Sequence, residues 1–420
     1  MKDNNLCVFG IGRVGLPLAL VFADKGFDVW GIDINPEHVN ILNQKKLPFL
    51  EEGAEELLKK YGGKTFHAFT SDKKFDALAR SKYIILTLGT PIDSTLSPDH
   101  RQIETLFSDI LPNIEKGHVI ILRSTISPGT LRQIIRFVEA NTKFKVGKEI
   151  FMAYCPERIA EGKSVEELVE IPQLIGTIDL KSADYATKLF SKITKKILHS
   201  KPEAVELAKL YCNMYRYIDF AIGNEFMMIA EDYGCDYYDV LNLVNKDYKR
   251  GGLKSSGFTG GPCLVKDGFF LIDKSPYMDL VMAAWRLNEN VPGYLFKRIK
   301  KEIKSFDGKK VAILGVAFKK NIDDARLSLV PKIQRYFLSE GANVMLSDPF
   351  IASDSLDETL KNADVLVIGT NHTEYEKINL LKLKGILCND CIVCDVWNMF
   401  KTGKILFKFS EILDKSLRTK

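Results

Sequence analysis

The chain has 420 residues, 46% of them hydrophobic and 27% charged, the balance of a globular protein of two or three domains. Its 59 basic and 54 acidic residues leave a net charge of +5, too little to argue for a nucleic-acid partner. No apolar run is long enough to span a bilayer, and Met1-Lys2-Asp3-Asn4-Asn5 lacks a signal-peptide pattern, so a cytoplasmic protein with no membrane partner is expected.

The first element is an apolar run, Leu6 to Phe9, read as a buried strand. Gly10-Ile11-Gly12-Arg13-Val14-Gly15 follows at once, and Leu16 to Ala23 has the apolar character of a helix. Strand, glycine turn and helix in this order form a dinucleotide fingerprint. The first glycine permits the turn, the second lets backbone approach a pyrophosphate, and the third lets helix pack on strand. The helix start would face the phosphates with its positive dipole end. A second strand, Phe27 to Ile34, carries Asp33 near its end. A carboxylate there suits adenosine ribose hydroxyls and repels a 2′-phosphate, so NAD is the expected cofactor.

Apolar strands recur at Tyr83 to Thr87, Val119 to Leu122, Phe151 to Tyr154 and Leu174 to Ile178, with helical patterns between them. This alternation predicts a parallel, doubly wound α/β sheet. From Pro202 to about Lys304 the pattern is mostly helical, with apolar residues at helical spacing over Val205 to Tyr233 and Asp279 to Ile303. Long apolar helices of this kind need burial, which favours a homodimer over an internal bundle in a monomer. A new first strand begins at Lys310-Val311-Ala312-Ile313-Leu314-Gly315, and Val344 to Leu346, Val365 to Ile368 and Ile392 to Val396 would be its partners. The expected architecture is therefore two Rossmann-like doubly wound domains joined by a central helical region. Their spans are 1–200 for the NAD-binding domain, 201–304 for the helical, dimerising region with the cysteine loop, and 305–420 for the second Rossmann-like domain. Gly315-Val316-Ala317-Phe318 lacks the full glycine triplet, so this second domain would bind a different nucleotide.

Eight cysteines without a signal peptide point to reduced thiols. Cys388, Cys391 and Cys394 resemble half a metal site, but no further Cys or His pair lies at matching spacing and the segment also reads as a buried strand; no metal is expected. Cys263 differs. It lies in a tight glycine-flanked loop, Gly257-Phe258-Thr259-Gly260-Gly261-Pro262-Cys263, with Asp267 nearby. A thiolate can capture an aldehyde as a thiohemiacetal, and a bound hydride acceptor can then oxidise that adduct to a thioester.

Seven ordered stretches carry a family resemblance. They are Gly10 to Gly15, Gly89-Thr90-Pro91, Ser124 to Thr130, Pro156-Glu157-Arg158-Ile159-Ala160-Glu161-Gly162, Glu206 to Leu210 with Asn213, the Cys263 loop, and Gly315 to Lys320 through Asp324-Ala325-Arg326. The chain resembles the UDP-glucose/GDP-mannose dehydrogenases over nearly its whole length. The resemblance implies oxidation of a sugar C6 alcohol to a carboxylate with two NAD+, an NAD domain, a dimerising helical middle and a UDP-sugar domain.

It also implies roles. Cys263 would be the nucleophile, its thiolate favoured by Lys209 and a helix or loop dipole. Lys209 and Asn213, four apart on one helix face, would stabilise an oxyanion at C6. Asp267 would act with Lys209 and a water in proton transfer, Glu157 would activate the hydrolytic water, and Thr125 would hold that water or the nicotinamide edge. The cofactor set would be Gly10, Ile11, Gly12, Arg13, Val14, Gly15, Asp33, Gly89, Thr90, Pro91, Ser124, Thr125, Glu161, Lys266 and Arg326. The sugar nucleotide would meet Glu157, Arg158, Glu161, Lys209, Asn213, Arg250, Lys254, Ser255, Ser256, Gly257, Phe258, Gly260, Phe318 and Lys319, with Arg250 reaching a neighbouring subunit. Near Asp395-Val396-Trp397-Asn398 UDP-glucose enzymes place a substrate-binding arginine, and this chain has none. Gly15-Leu16-Pro17-Leu18-Ala19 and Asn213-Met214-Tyr215-Arg216-Tyr217 resemble enzymes acting on UDP-N-acetylhexosamines. The expected substrate is UDP-N-acetylmannosamine or UDP-N-acetylglucosamine, in the synthesis of surface polysaccharide precursors, with UDP-glucose as the alternative. Two other readings are a two-electron hydroxyacid dehydrogenase, which would need neither Cys263 nor a second nucleotide domain, and a non-catalytic NAD-binding scaffold.

Overall fold

The structure, a computed structural model, describes residues 2–412. The chain forms two compact units: Met1–Cys212 with Lys266–Pro276, and Asn213–Val265 with Tyr277–Lys420. Two helices, Pro202–Asp232 and Pro262–Ile272, contribute residues to both.

The first unit is built on eight strands: β1 (Lys2–Phe9), β2 (Asp28–Asp33), β3 (Phe66–Thr70), β4 (Ser81–Leu86), β5 (Val119–Leu122), β6 (Phe151–Tyr154), β7 (Gln173–Gly176) and β8 (Ile197–Ser200). Their order is β3-β2-β1-β4-β5-β6-β7-β8. The first six follow the dinucleotide-binding order, with the switch point between β1 and β4. Strand β1 shows why the sheet is covered on both faces. Leu6 and Val8 enter one core layer with Leu16 and Leu20 of helix Gly15–Asp24, while Cys7 and Phe9 enter the other with Ile103 and Phe107. The sheet is not wholly parallel, because β6 and β7 run antiparallel. Strands β3 and β8, absent from the sequence reading, are the two edges; β8 has no buried residue, so it carries no apolar signature.

The second unit has five strands: β9 (Lys310–Leu314), β10 (Asn343–Ser347), β11 (Val365–Ile368), β12 (Ile392–Cys394) and β13 (Leu406–Lys408), in the order β10-β9-β11-β12-β13. All pair in parallel except β12 with β13. Again alternate residues serve opposite layers, Val311 and Ile313 in one, Ala312 and Leu314 in the other. Cys391 and Cys394 fall in opposite layers, three apart along an extended segment, and the half-exposed Cys388 thiol donates to the Asn362 carbonyl at 3.4 Å. The helical middle comprises Pro202–Asp232, Tyr237–Asn245, Pro262–Ile272 and Asp279–Glu302. No described helix is both long and apolar enough to cross a membrane.

Candidate active site

At the carboxyl end of β1 each glycine of the turn meets a different constraint. Gly10 has φ +85°, where a side chain would be strained. Gly12 faces open space, as a backbone approached by a ligand requires. Gly15 has no room: a Cβ would fall on the Gly10 carbonyl oxygen and on Thr87 Oγ1. Asp33 leaves β2 beside the turn. Its Oδ2 accepts the Ile11 N–H at 3.0 Å and its Oδ1 the Asn35 N–H at 3.0 Å. Next to it Ile34 is 84% exposed, an apolar surface of the kind that an adenine ring covers. His38 Nε2 lies 2.8 Å from the Ile11 carbonyl, and Thr87 Oγ1 donates to the Phe9 carbonyl at 3.0 Å. Neither residue was singled out from sequence. Arg13 pairs with Glu161 at 2.7 Å and lies 5.0 Å from the Phe49 ring centre. The structure thus brings Arg13 and Glu161 together.

After β4 come Gly89, Thr90 and Pro91. Thr90 is buried, and Lys266 donates to its Oγ1 at 3.4 Å. Lys266 also lies 4.6 Å from the Phe270 ring centre. Ser124, after β5, donates to the Leu88 carbonyl at 2.7 Å. Thr125 beside it is half-buried.

Glu157 is placed by Arg123, which ends β5's apolar run and is fully buried. The Arg123 guanidinium grips Glu157 Oε2, with Nε at 2.8 Å, and spends its remaining donors on the Cys155 carbonyl and Gln173. Glu157 Oε1 accepts the N–H groups of Arg158 and Ile159 at 2.7 and 3.0 Å. Both oxygens are engaged, and through them Glu157 ties the 156–162 loop to Arg123. Arg158 donates to the Pro172 carbonyl. Glu206 has a similar structural task. It is fully buried and accepts the N–H groups of Gly129 and Leu131 at 2.6 and 2.9 Å, tying helix Pro202–Asp232 to the start of helix Thr130–Asn141. Burial raises its pKa, partly opposed by those two N–H groups.

One turn beyond Glu206, Lys209 is buried and its Nζ lies 3.7 Å from Asp267 Oδ2. Asp267 is completely buried, and Lys266 Nζ approaches its Oδ1 at 3.3 Å. A carboxylate shared by two ammonium groups is therefore assembled from two segments far apart in the chain. Asn213 stands one turn after Lys209 on the same helix and is half-buried.

Cys263 is not in a loop. It is the second residue of helix Pro262–Ile272, one turn before Asp267, and is exposed. Pro262 starts that helix, where its missing N–H costs nothing. The thiol consequently sits at the positive end of a helix dipole, which favours a thiolate. Other thiols differ: burial pushes Cys7 and Cys155 up to about 12.

The glycine-rich segment before Cys263 is fastened within the second unit. The Gly257 N–H donates to Asn224 Oδ1 at 2.9 Å, Asn224 Nδ2 to Asn288 Oδ1 at 2.9 Å, and Asn288 Nδ2 to the Tyr217 carbonyl at 3.2 Å. Both asparagines are fully buried. Ser256 Oγ donates to the Val396 carbonyl at 3.0 Å, and Tyr237 Oη to the Lys254 carbonyl at 2.9 Å. Gly257 lies flat against Trp397, whose ring a Cβ would enter. Gly260 and Gly261 pack as closely on Leu327 and Phe318. Phe258 is buried, whereas Lys254, Ser255 and Arg250 are exposed. Phe318 and Lys319 are half-buried in the loop after β9. Arg326 is held by Asp324 through paired bonds of 2.6 to 3.0 Å.

On fold and site the chain is a dinucleotide-dependent dehydrogenase. The NAD-binding domain of the UDP-glucose/GDP-mannose dehydrogenase family matches residues 4–194, its central domain 203–291 and its UDP-binding domain 312–402. The chain belongs to that family, and is a nucleotide-sugar dehydrogenase with an NAD-binding and a UDP-binding domain. It is 34% identical over 393 residues to a UDP-N-acetyl-D-mannosamine dehydrogenase of Methanocaldococcus jannaschii, covering 91% of this chain and 89% of the relative. A solved UDP-D-ManNAc dehydrogenase from Pyrococcus horikoshii superposes with a TM-score of 0.85 at 29% identity, over 91% of this chain and 93% of that one. A UDP-glucose dehydrogenase from Pyrobaculum islandicum gives 0.82 at 27% identity, over 90% and 92%.

Proposed function

We propose that the protein oxidises the C6 hydroxyl of a UDP-N-acetylhexosamine, UDP-N-acetylmannosamine before UDP-N-acetylglucosamine, to the carboxylate. The sugar is inferred from relatives named as UDP-N-acetyl-D-mannosamine dehydrogenases. The chemistry rests on one observation: Cys263 starts a helix whose next turn carries the buried Asp267 with its two lysines.

Gly10–Gly15 and Asp33 would hold NAD+, which when bound would supply the hydride acceptor for each of two oxidations. In the first, the C6 alcohol loses a hydride and its hydroxyl proton, and Lys209 and Asn213 hold the developing oxyanion. Cys263 Sγ then bonds to C6 of the aldehyde, and the alkoxide takes a proton to give a thiohemiacetal. The second oxidation removes the C6 hydride and the hydroxyl proton, leaving a thioester. Water attacks the thioester carbon, the C–S bond breaks, and the products are carboxylate and free thiol. Overall, one alcohol, one water and two NAD+ give one carboxylate, two NADH and three protons. Asp267 keeps Lys209 at its place throughout.

The uronic acid product suits surface polysaccharide synthesis in the cytoplasm. A homodimer through helix Pro202–Asp232 is supported by an exposed apolar stripe, Tyr215, Ile222, Phe226 and Ile229, at helical spacing. In that dimer Arg250 would reach the neighbouring subunit's substrate. UDP-glucose remains the second reading, favoured by the fold match to a UDP-glucose dehydrogenase. The test is to incubate the protein with NAD+ and each of the three UDP-sugars and count NADH per sugar consumed. Two NADH with UDP-N-acetylmannosamine are expected. One NADH, or turnover of UDP-glucose alone, would overturn the mechanism or the substrate respectively.

A further inference from the structure

The acid at the end of a Rossmann β2-type strand occurs in both units, but in different states. Asp33 is half-exposed at the NAD turn. Asp348, after β10, is buried and saturated. Its Oδ2 accepts the N–H groups of Val316 and Ala317 at 2.6 and 3.1 Å, and its Oδ1 those of Phe350 and Ile351 at 2.8 and 3.2 Å. His372 completes this arrangement from the loop after β11. It is fully buried, packed between the rings of Phe350 and Tyr375 at 5.1 and 5.6 Å.

The two ring nitrogens of His372 do different things. Nδ1 lies 2.9 Å from the Asn321 N–H, which can only donate, so Nδ1 is the acceptor and carries no proton. Nε2 therefore carries it and donates to Asp348 Oδ2 at 3.1 Å. Asn321 itself adopts φ +59° and exchanges two side-chain bonds with Thr373, at 2.7 and 3.0 Å. The loop after β9 is thus held at both ends: Val316 and Ala317 on Asp348, Asn321 on His372. Phe318 and Lys319 stand between those anchors.

We propose that His372 is a positioning residue for the nucleotide sugar: it fixes the loop that presents Phe318 and Lys319 to the UDP diphosphate. The proposal rests on residues 312–402 being a UDP-binding domain. A histidine is suited because the loop needs an acceptor and Asp348 needs a donor, a ring's width apart, in a place too buried for water to substitute.

The test is calorimetric titration of the full-length protein with UDP, beside steady-state kinetics. His372→Phe keeps the ring packing and removes both bonds. It should weaken UDP binding about tenfold, the scale of the lost Asn321 N–H bond that holds the loop directly, and raise KM for the UDP-sugar alike while KM for NAD+ and kcat at saturation stay put. His372→Asn, whose amide oxygen takes the Nδ1 place, should recover part of the loss. Unchanged UDP affinity in a folded His372→Phe, or an equal loss of NAD+ and UDP affinity, would overturn the proposal. Should that variant not fold, Asn321→Ala removes both side-chain bonds to Thr373 and must weaken UDP selectively, or the idea fails. If the unaltered protein binds no UDP, the reading of the domain falls first, and the proposal with it.

Discussion

Asp267→Asn separates charge from shape at the proposed catalytic centre. The carboxylate is fully buried, with ammonium groups at 3.3 and 3.7 Å on lysine side chains that are 14% and 9% exposed. At an effective dielectric constant of about 20, each contact is worth roughly 4–5 kcal/mol of gross Coulomb attraction. Desolvation cancels part of that. What the substitution leaves is worse than a missing bond: two lysines, little solvated, with no anion between them. Breaking a buried pair in this way costs about 3–5 kcal/mol. In a unit of this size the thermal midpoint should fall by roughly 10 °C, with little sensitivity to salt because the site is buried. The midpoint serves as an operational measure, since two units need not unfold as one transition. If Lys209 holds the C6 oxyanion, its displacement should also lower kcat about 100-fold, the scale of losing one such donor. The double variant Asp267→Asn with Lys209→Met decides between the two effects. Removing one orphaned cation should restore part of the midpoint and none of the activity, a coupling that a double-mutant cycle measures. A single variant with the original midpoint and turnover would refute the reasoning. So would a double variant that recovers turnover.

Glu206→Gln should destabilise by about 1–2 kcal/mol, because one amide N–H must then face a backbone N–H of Gly129 or Leu131; a thermal scan checks it. Gly257→Ala drives a methyl into Trp397 and should raise KM for the UDP-sugar, whereas adding Trp397→Ala should return part of it; kinetics of the pair test the contact. Burial alone would raise Asp348, but the His372 and backbone N–H bonds outweigh it and hold its pKa at about 2. Its folded value is depressed from roughly 3.9 in the unfolded chain, so its stabilisation is complete above about pH 4 and is lost as pH falls toward 2. Acid titration of Asp348→Asn should show a flatter loss of stability in that window. Phe226→Glu with Ile229→Glu should halve the mass seen by light scattering, and an unchanged mass would remove the proposed interface.

Much of the fold was legible because central strands are apolar on both faces and helices repeat at their own period. Val119–Leu122, Phe151–Tyr154 and Val365–Ile368 were read with their observed bounds. The strands that escaped, β3, β8 and β13, lie at or beside sheet edges or are only three residues long, so they need little apolar surface. The helix beginning at Pro262 was available in the run Gly260-Gly261-Pro262, which marks a helix start as well as a loop. Arg123 was visible as a charge ending an apolar run, but its partners Glu157 and Gln173 are set by the order of β5, β6 and β7. Asn224 and Asn288 looked like ordinary helix residues. Their relay to Gly257 joins positions with no local signature at all.

The two nucleotide domains show how one architecture yields two recognition modes. After β1, helix Gly15–Asp24 begins five residues beyond Gly10, so the turn leads directly into a helix start, the place where this fold binds a pyrophosphate. After β9, the next helix does not begin until Val330. Gly315 still makes the first bend, at φ +89°, but a Cβ there would meet Thr370, and Ala317 stands where the close-approach glycine would be. No helix start is offered to a phosphate at that point. The intervening loop offers Phe318 and Lys319, an aromatic face and a point charge, which suit a nucleoside diphosphate held from the side. The acid follows the same logic. With a helix to carry the phosphates, Asp33 can stay near the surface and serve a ribose. Where a long loop must be held still, Asp348 turns inward and spends its oxygens on that loop's backbone. Comparable places in the two sheets thus carry a half-exposed carboxylate, Asp33, and a buried one, Asp348, that is turned onto the backbone of its own loop.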